Sequence, residues 1–229
     1  MMVITLSRQL GSGGDEIASR VAEVLDLDLV DHARLRRAAV AAGVSELAWE
    51  ELELIGRGDL VEQLTKALRS VPPTPTSERE LFPILTPRAG PLDGIFAPPL
   101  PPASIALAES VRILEDVVNR LADTGRVLII GGGGQAILAN RPGVLHVSII
   151  APFEQRVTTV QRREGISLAE ARRKVRASDR NRAEYLRRFY DVHWDDPALY
   201  HLTLNTGRLS RAVAAAAIIA AARAMAAGS

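Results

Sequence analysis

The stretch Val3-Ile4-Thr5-Leu6-Ser7-Arg8-Gln9-Leu10-Gly11-Ser12-Gly13-Gly14-Asp15-Glu16-Ile17-Ala18 constrains the fold more than any other part of the chain. A short apolar strand runs into a turn with three glycines in four positions, and an amphipathic helix starts directly behind it. Glycine there lets the backbone take positive φ and brings its N–H groups close to a ligand. The helix turns its positive dipole end onto the same turn. Strand, turn and helix N-terminus together make a cradle for a phosphate group. The plainer alternative is a tight strand-to-helix connection with no ligand.

The order of elements behind this unit repeats its logic. Ile17, Val21, Val24 and Leu25 give the first helix a buried face. Leu27 to Val30 reads as a second strand, and Asp31 caps a helix over 32–42. Helices follow over 46–55 and 59–70. Ten of the thirteen prolines then fall between Pro72 and Pro102, which excludes a core strand or helix there. The stretch 71–103 is read as a Pro-rich insertion or lid, with Phe82, Ile84, Leu85, Ile95 and Phe96 to tack it down. Helix 104–124, strand 126–130, a short helix 135–140, strand 144–151, a basic helix pair over 154–190, strand 200–205 and helix 209–227 complete the chain. Such alternation predicts an α/β fold, a parallel β-sheet with helices on both faces. All 229 residues are read as one domain: phosphate-loop unit 1–30, acceptor-side helices 31–70, insertion 71–103, core 104–152, lid-like helices 153–190, and closing strand and helix 191–229.

Composition narrows the chemistry. The chain has no cysteine and four histidines, which excludes disulfide and thiolate-metal frameworks; no metal ligand set is assigned. A net charge of +1 gives no electrostatic case for a nucleic-acid partner, and none is expected. The most apolar tract, 212–222, is eleven residues long, short of the roughly 20 that cross a bilayer. No membrane partner is expected and the location is read as cytoplasmic. The alanine-rich last helix and the insertion offer surfaces for a homo-oligomer.

The first turn departs from the nucleotide loop G-x-x-x-x-G-K-[ST]. Aligned on Gly11-Ser12-Gly13, Gly14 stands where the lysine belongs and Glu16 where the hydroxyl belongs. Asp15 and Glu16 suit the helix dipole but oppose a polyphosphate, and Arg8 is the nearest cation able to replace the lysine. A second glycine loop, Gly131-x-Gly133-x-x-Ala136, matches the relaxed dinucleotide fingerprint, yet it does not occupy the first strand–helix unit and lacks the acidic residue after the next strand. Asp195 and Asp196 read as caps for the turn at Pro197. Arg34, Arg36 and Arg37 read either as a solvated face or as a phosphate clamp for a second substrate.

Five segments in order resemble the cytidylate kinase-like family of P-loop proteins, relatives of the nucleoside monophosphate kinases. They are 4–14, 131–138, Arg141-Pro142-Gly143-Val144-Leu145-His146-Val147, Arg162-Arg163-Glu164-Gly165-Ile166-Ser167, and Trp194-Asp195-Asp196-Pro197 through Tyr200 to Thr206. The resemblance implies transfer of a phosphoryl group from ATP, with Mg2+, to a nucleoside monophosphate, so the expected partner is a small-molecule nucleotide. By position, Gly11, Ser12, Gly13 and Gly14 hold donor phosphates and Arg37 holds the acceptor phosphate. Arg176, Asp179, Arg180 and Arg182 belong to the lid, where arginines, with Arg8, supply charge to the transferring group. Two family cations are missing: Asp15 follows the first loop's glycines, and Gly132 stands where an arginine is usual. The alternative is therefore a catalytically degenerate nucleotide-binding or scaffolding protein on the same fold.

Overall fold

A computed structural model describes residues 2–54 and 103–227. The helix expected over 59–70 and nearly all of the Pro-rich insertion lie outside the described residues. The elements are β1 (Met2–Arg8), α1 (Gly14–Leu25), β2 (Asp28–Val30), α2 (His32–Ala41), α3 (Glu46–Leu54), α4 (Ala103–Asp123), β3 (Arg126–Ile130), the one-turn helix α5 (Gly134–Ile137), β4 (Val144–Ile150), α6 (Phe153–Glu164), α7 (Leu168–Tyr190), β5 (Leu202–Asn205) and α8 (Arg211–Ala227). A 3-10 turn at Pro197–Leu199 precedes β5.

The five strands form one parallel sheet in the order β2-β3-β1-β4-β5. β1 is central, flanked by β3 (Ile4 opposite Leu128) and by β4 (Ile4 opposite Leu145). Parallel strands covered on both faces read as near-continuous apolar runs, and residues 3–7 of β1 are all buried. Alternation along the strands sorts side chains to the two faces. Ile4, Leu6, Leu128, Ile130, Leu145 and Val147 pack beneath Ile17, Ala18 and Val21 of α1 and Ala214, Ala215 and Ile218 of α8. Val3, Val127, Ile129 and Val144 pack against Leu35, Trp49, Leu114 and Val118 from α2, α3 and α4. One face of the alanine run of α8, with Ala214, Ala215 and Ala222, is therefore buried, where small side chains let it lie close on α1, while Ala212, Ala216 and Ala220 stay exposed. Among the described residues no helix is long and apolar enough to cross a membrane.

Several ends are set by local chemistry. Asp31 Oδ1 accepts from Arg34 N–H at 2.8 Å, and Ser167 Oγ accepts from Glu170 N–H at 3.2 Å, each capping its helix. Asp196 Oδ1 accepts from Ala198 N–H at 2.8 Å and caps the turn at Pro197. The last helix begins two residues later than its periodicity predicts, because Ser210 Oγ accepts from Val213 N–H at 3.2 Å and acts as the cap. The second strand is only three residues long.

Connections leave β1 and β4 in opposite directions, β1 toward β2 and β4 toward β5. In open α/β sheets the crevice beyond the strand ends at such a reversal is where ligands bind. Both the first glycine turn and the N-terminus of α6 lie at this point.

Candidate functional site at the carboxyl end of the central strand

The turn after β1 is held from three sides. Gly11 (φ +83°) and Gly13 (φ +79°) are left-handed, a conformation that costs L-residues with a Cβ roughly 1–2 kcal/mol. A β-carbon at Gly11 would stand 2.5 Å from the Arg156 carbonyl oxygen, and one at Gly14 2.7 Å from Arg8 Cβ. Thr206 Oγ1 donates to the Ser12 carbonyl at 2.7 Å, tying the turn to the end of β5. Gln9 Oε1 accepts from Ala151 N–H at 2.9 Å, tying it to the end of β4. Ser12 is buried, and its hydroxyl has no hydrogen-bond partner among the described residues.

The two acids behind the turn are neutralised. Arg8 Nε donates to Asp15 Oδ1 at 2.5 Å, and Arg211 Nη1 donates to Glu16 Oε2. Arg211 comes from the start of α8, and its side chain lies on Gly13, where a β-carbon would fall 2.5 Å from Arg211 Nε. Nothing local in the sequence points to Arg211, nearly two hundred residues away; the signal was only the arginine bracketing the alanine tract.

Beside the turn a cleft of about 1380 Å3 opens between the sheet end and α7. Of the expected site residues, Arg8, Arg176, Arg180 and Arg182 line it. Arg182 is the most constrained. Its Nη1 is buried without a hydrogen-bond partner among the described residues. Burial, and then the charge of Arg8, lower its pKa to about 10. Its guanidinium carbon sits 4.9 Å from the centroid of the Trp194 ring. Arg176 lies over the Phe153 ring at 5.3 Å. The lining also has an apolar part, with Leu35, Trp49, Leu52, Leu114 and Tyr185.

Other expected residues are placed elsewhere. Asp179 takes both Arg156 nitrogens, Nη1 to Oδ1 at 3.0 Å and Nη2 to Oδ2 at 2.8 Å. Arg156 is buried, and its Nε donates to the Ala151 carbonyl at 3.1 Å. Asp179 thus braces α7 against α6 and is not among the cleft-lining residues. Arg37 is exposed on α2 and does not line the cleft. Its neighbours are engaged as well, Arg34 with Asp28 and Arg36 with Glu46. Gly11 to Gly14 border the site through the turn but are not among the cleft's lining residues.

The second glycine loop lines the cleft through Gly131, Gly132 and Gly133, all at positive φ. A β-carbon at Gly132 would lie 2.4 Å from Leu35 Cδ2, and Leu35 is fully buried. Leu35 therefore fills the space into which a side chain at position 132 would project.

As for what the residues could hold, a buried hydroxyl and a buried guanidinium nitrogen, both unpartnered, fit an anionic group. No cluster of three or more histidine, aspartate or glutamate side chains suited to a metal occurs among the described residues. Asp15 and Glu16, the acids nearest the turn, are held in ion pairs with Arg8 and Arg211.

This is an α/β protein of the class that takes ligands beyond the carboxyl ends of a parallel sheet. The chain matches the cytidylate kinase-like family over residues 3–208 and belongs to that family. It is 33% identical over 89 residues to a cytidylate kinase of Methanothermobacter thermautotrophicus, a match covering 39% of this chain and 54% of that one. It is also 30% identical over 95 residues to a uronate isomerase of Corynebacterium glutamicum, covering 42% of this chain and 18% of that one. These alignments reach at most about half the length of either relative. A solved structure of an uncharacterized protein from Eubacterium ventriosum superposes with a TM-score of 0.61 at 15% identity, covering 97% of this chain and 99% of that one. The likeness supports the fold alone.

Proposed function

We propose that the protein transfers a phosphoryl group from ATP to a nucleoside monophosphate in the cleft between the sheet and α7. The observation that carries this reading is the pairing of Arg8 and Arg182 at the end of the central strand. Two like charges line one cleft, close enough for Arg8 to lower the pKa of Arg182, and one of them has a buried nitrogen without a partner among the described residues. A buried donor left unsatisfied costs about 1–3 kcal/mol, more when it is charged. A phosphoryl oxygen would satisfy it and relieve the repulsion together.

In phosphoryl transfer the protein mainly positions groups and neutralises charge. Arg8 and Arg182 would meet the transferring group, and Arg176 and Arg180 would close over it from α7. The N–H groups of Gly11 to Gly14 would hold donor phosphates. Mg2+, which kinases of this type use, would be carried by the nucleotide's own phosphate oxygens. The volume supports a two-substrate site, since single small-molecule pockets run to about 300–1,000 Å3.

A coupled assay with ATP and CMP, UMP, dCMP or AMP tests the proposal. ADP release with at least one acceptor is expected; no turnover together with no calorimetric ATP binding overturns it. The Arg8–Asp15 and Arg211–Glu16 pairs favour a second reading, a catalytically silent nucleotide binder or scaffold. In that case ATP binds and no acceptor is phosphorylated.

A further inference from the structure

We infer that Trp194 is a positioning residue that holds Arg182 in the cleft, and that Ser7 and Tyr200 fix Trp194 in turn. The inference rests on the phosphate-binding reading of the cleft. Arg182 is half-buried with its Nη1 withdrawn from water, the Arg8 charge acts on it more strongly than the opposing charges of Asp179 and Asp15, and it forms no ion pair among the described residues. Left alone, a flexible guanidinium would swing away from a like charge toward solvent. What faces it is the indole of Trp194, 4.9 Å from the guanidinium carbon. The negative face of an aromatic ring attracts a cation, most strongly for tryptophan and for a desolvated group.

Trp194 lies outside the regular elements, between α7 and β5. Its Nε1 donates to Ser7 Oγ at 2.9 Å, and its carbonyl accepts from the Tyr200 hydroxyl at 2.9 Å. Gln135 Nε2 reaches the same hydroxyl at 3.5 Å from the helix after the second glycine loop. Ser7 is buried on β1, one residue before Arg8. The indole therefore registers an arginine of α7 to the strand end that carries Arg8. Packing does not explain Trp194, because it belongs to none of the four apolar clusters among the described residues.

The test is titration of the full chain with inorganic tripolyphosphate, followed by calorimetry and by tryptophan emission. Binding is expected to change the emission. With Trp49, which also lines the cleft, replaced by Phe in every chain so that Trp194 is the remaining indole, that change is expected to vanish in Trp194→Phe, which keeps a ring under Arg182, and in Arg182→Gln. Affinity should fall about tenfold in Trp194→Leu and about twofold to threefold in Trp194→Phe and Ser7→Ala. If Trp194→Leu does not fold, the other two variants carry the test, and unchanged affinity in both overturns the inference. Binding to the chain that keeps Trp194 with no emission change, or with equal affinity in every Trp194 variant, overturns the inference and leaves the cleft reading standing. No binding of tripolyphosphate or ATP to the unmodified chain overturns both.

Discussion

Replacing Asp179 separates a bracing role from a ligand-binding one. Its carboxylate faces an Arg156 side chain that is only 5% exposed, through two hydrogen bonds of 3.0 and 2.8 Å. Removing one partner of a buried pair leaves a charge without compensation and costs about 3–5 kcal/mol. Asp179→Ala should therefore destabilise the fold by about that amount, at the low end because Asp179 is 25% exposed and water reaches the vacated side. Asp179→Asn keeps the shape and one acceptor and should lose less. In Arg156→Met the Asp179 charge is stranded and the Ala151 carbonyl loses its donor, adding about 1–3 kcal/mol. The double variant Arg156→Met with Asp179→Leu should be more stable than Arg156→Met alone, since apolar replacement of a buried pair is often neutral, with the orphaned Ala151 carbonyl left as the remaining cost. Urea unfolding of these variants together with the single Asp179→Leu gives the stabilities and the coupling energy. A loss below about 1 kcal/mol in Asp179→Ala, or additive losses in the double variant, would refute the bracing argument. Weakened ATP binding at unchanged stability would instead restore Asp179 to the ligand site.

Three further outcomes follow from the same geometry. His146 is buried, stacked 5.2 Å from His201 and 2.7 Å from the Thr5 hydroxyl, and burial, then the His201 charge, lowers its pKa to about 4. The fold thus binds its proton more weakly than the unfolded chain, so stability is full above pH 6.5 and falls as pH drops through 4, by about 3 kcal/mol at pH 4; His146→Gln should remove that slope in urea unfolding. Gly132→Arg should lower the melting temperature and leave ATP affinity unimproved, because Leu35 Cδ2 lies 2.4 Å from the new β-carbon and φ is +62°. Adding Leu35→Ala should relieve the clash, and a Gly132→Arg chain as stable as the unmodified one would contradict the stated packing. Asp15→Asn frees Arg8 from its ion pair and should tighten tripolyphosphate binding about tenfold, the lower range of a charge-assisted hydrogen bond; unchanged affinity by calorimetry would remove Arg8 from the site.

Much of the architecture was legible in local pattern. The apolar runs at 3–6, 126–130 and 144–150 announced covered parallel strands, and Asp31, Ser167, Gly125 and Gly165 marked helix ends where the structure has them. These signals persist without tertiary contacts because period, capping and glycine conformation act over a few residues. The family, too, was readable from five ordered segments, and it is the family the chain belongs to.

The wiring of the site was not legible. Asp15 and Glu16 read as charges hostile to phosphate until Arg8 and Arg211 were found on them. Asp179 and Arg37 sat at plausible positions, yet one serves Arg156 and the other is exposed on α2 and not among the cleft-lining residues. Gly132 read as a missing arginine, whereas Leu35 occupies the space that side chain would need. Sequence determines which residues lie on one helix face or strand, because chain geometry sets that spacing. Which charge meets which, across separations such as 16 to 211 or 7 to 194, depends on how sheet and helices close around one another, and only the tertiary structure decides it.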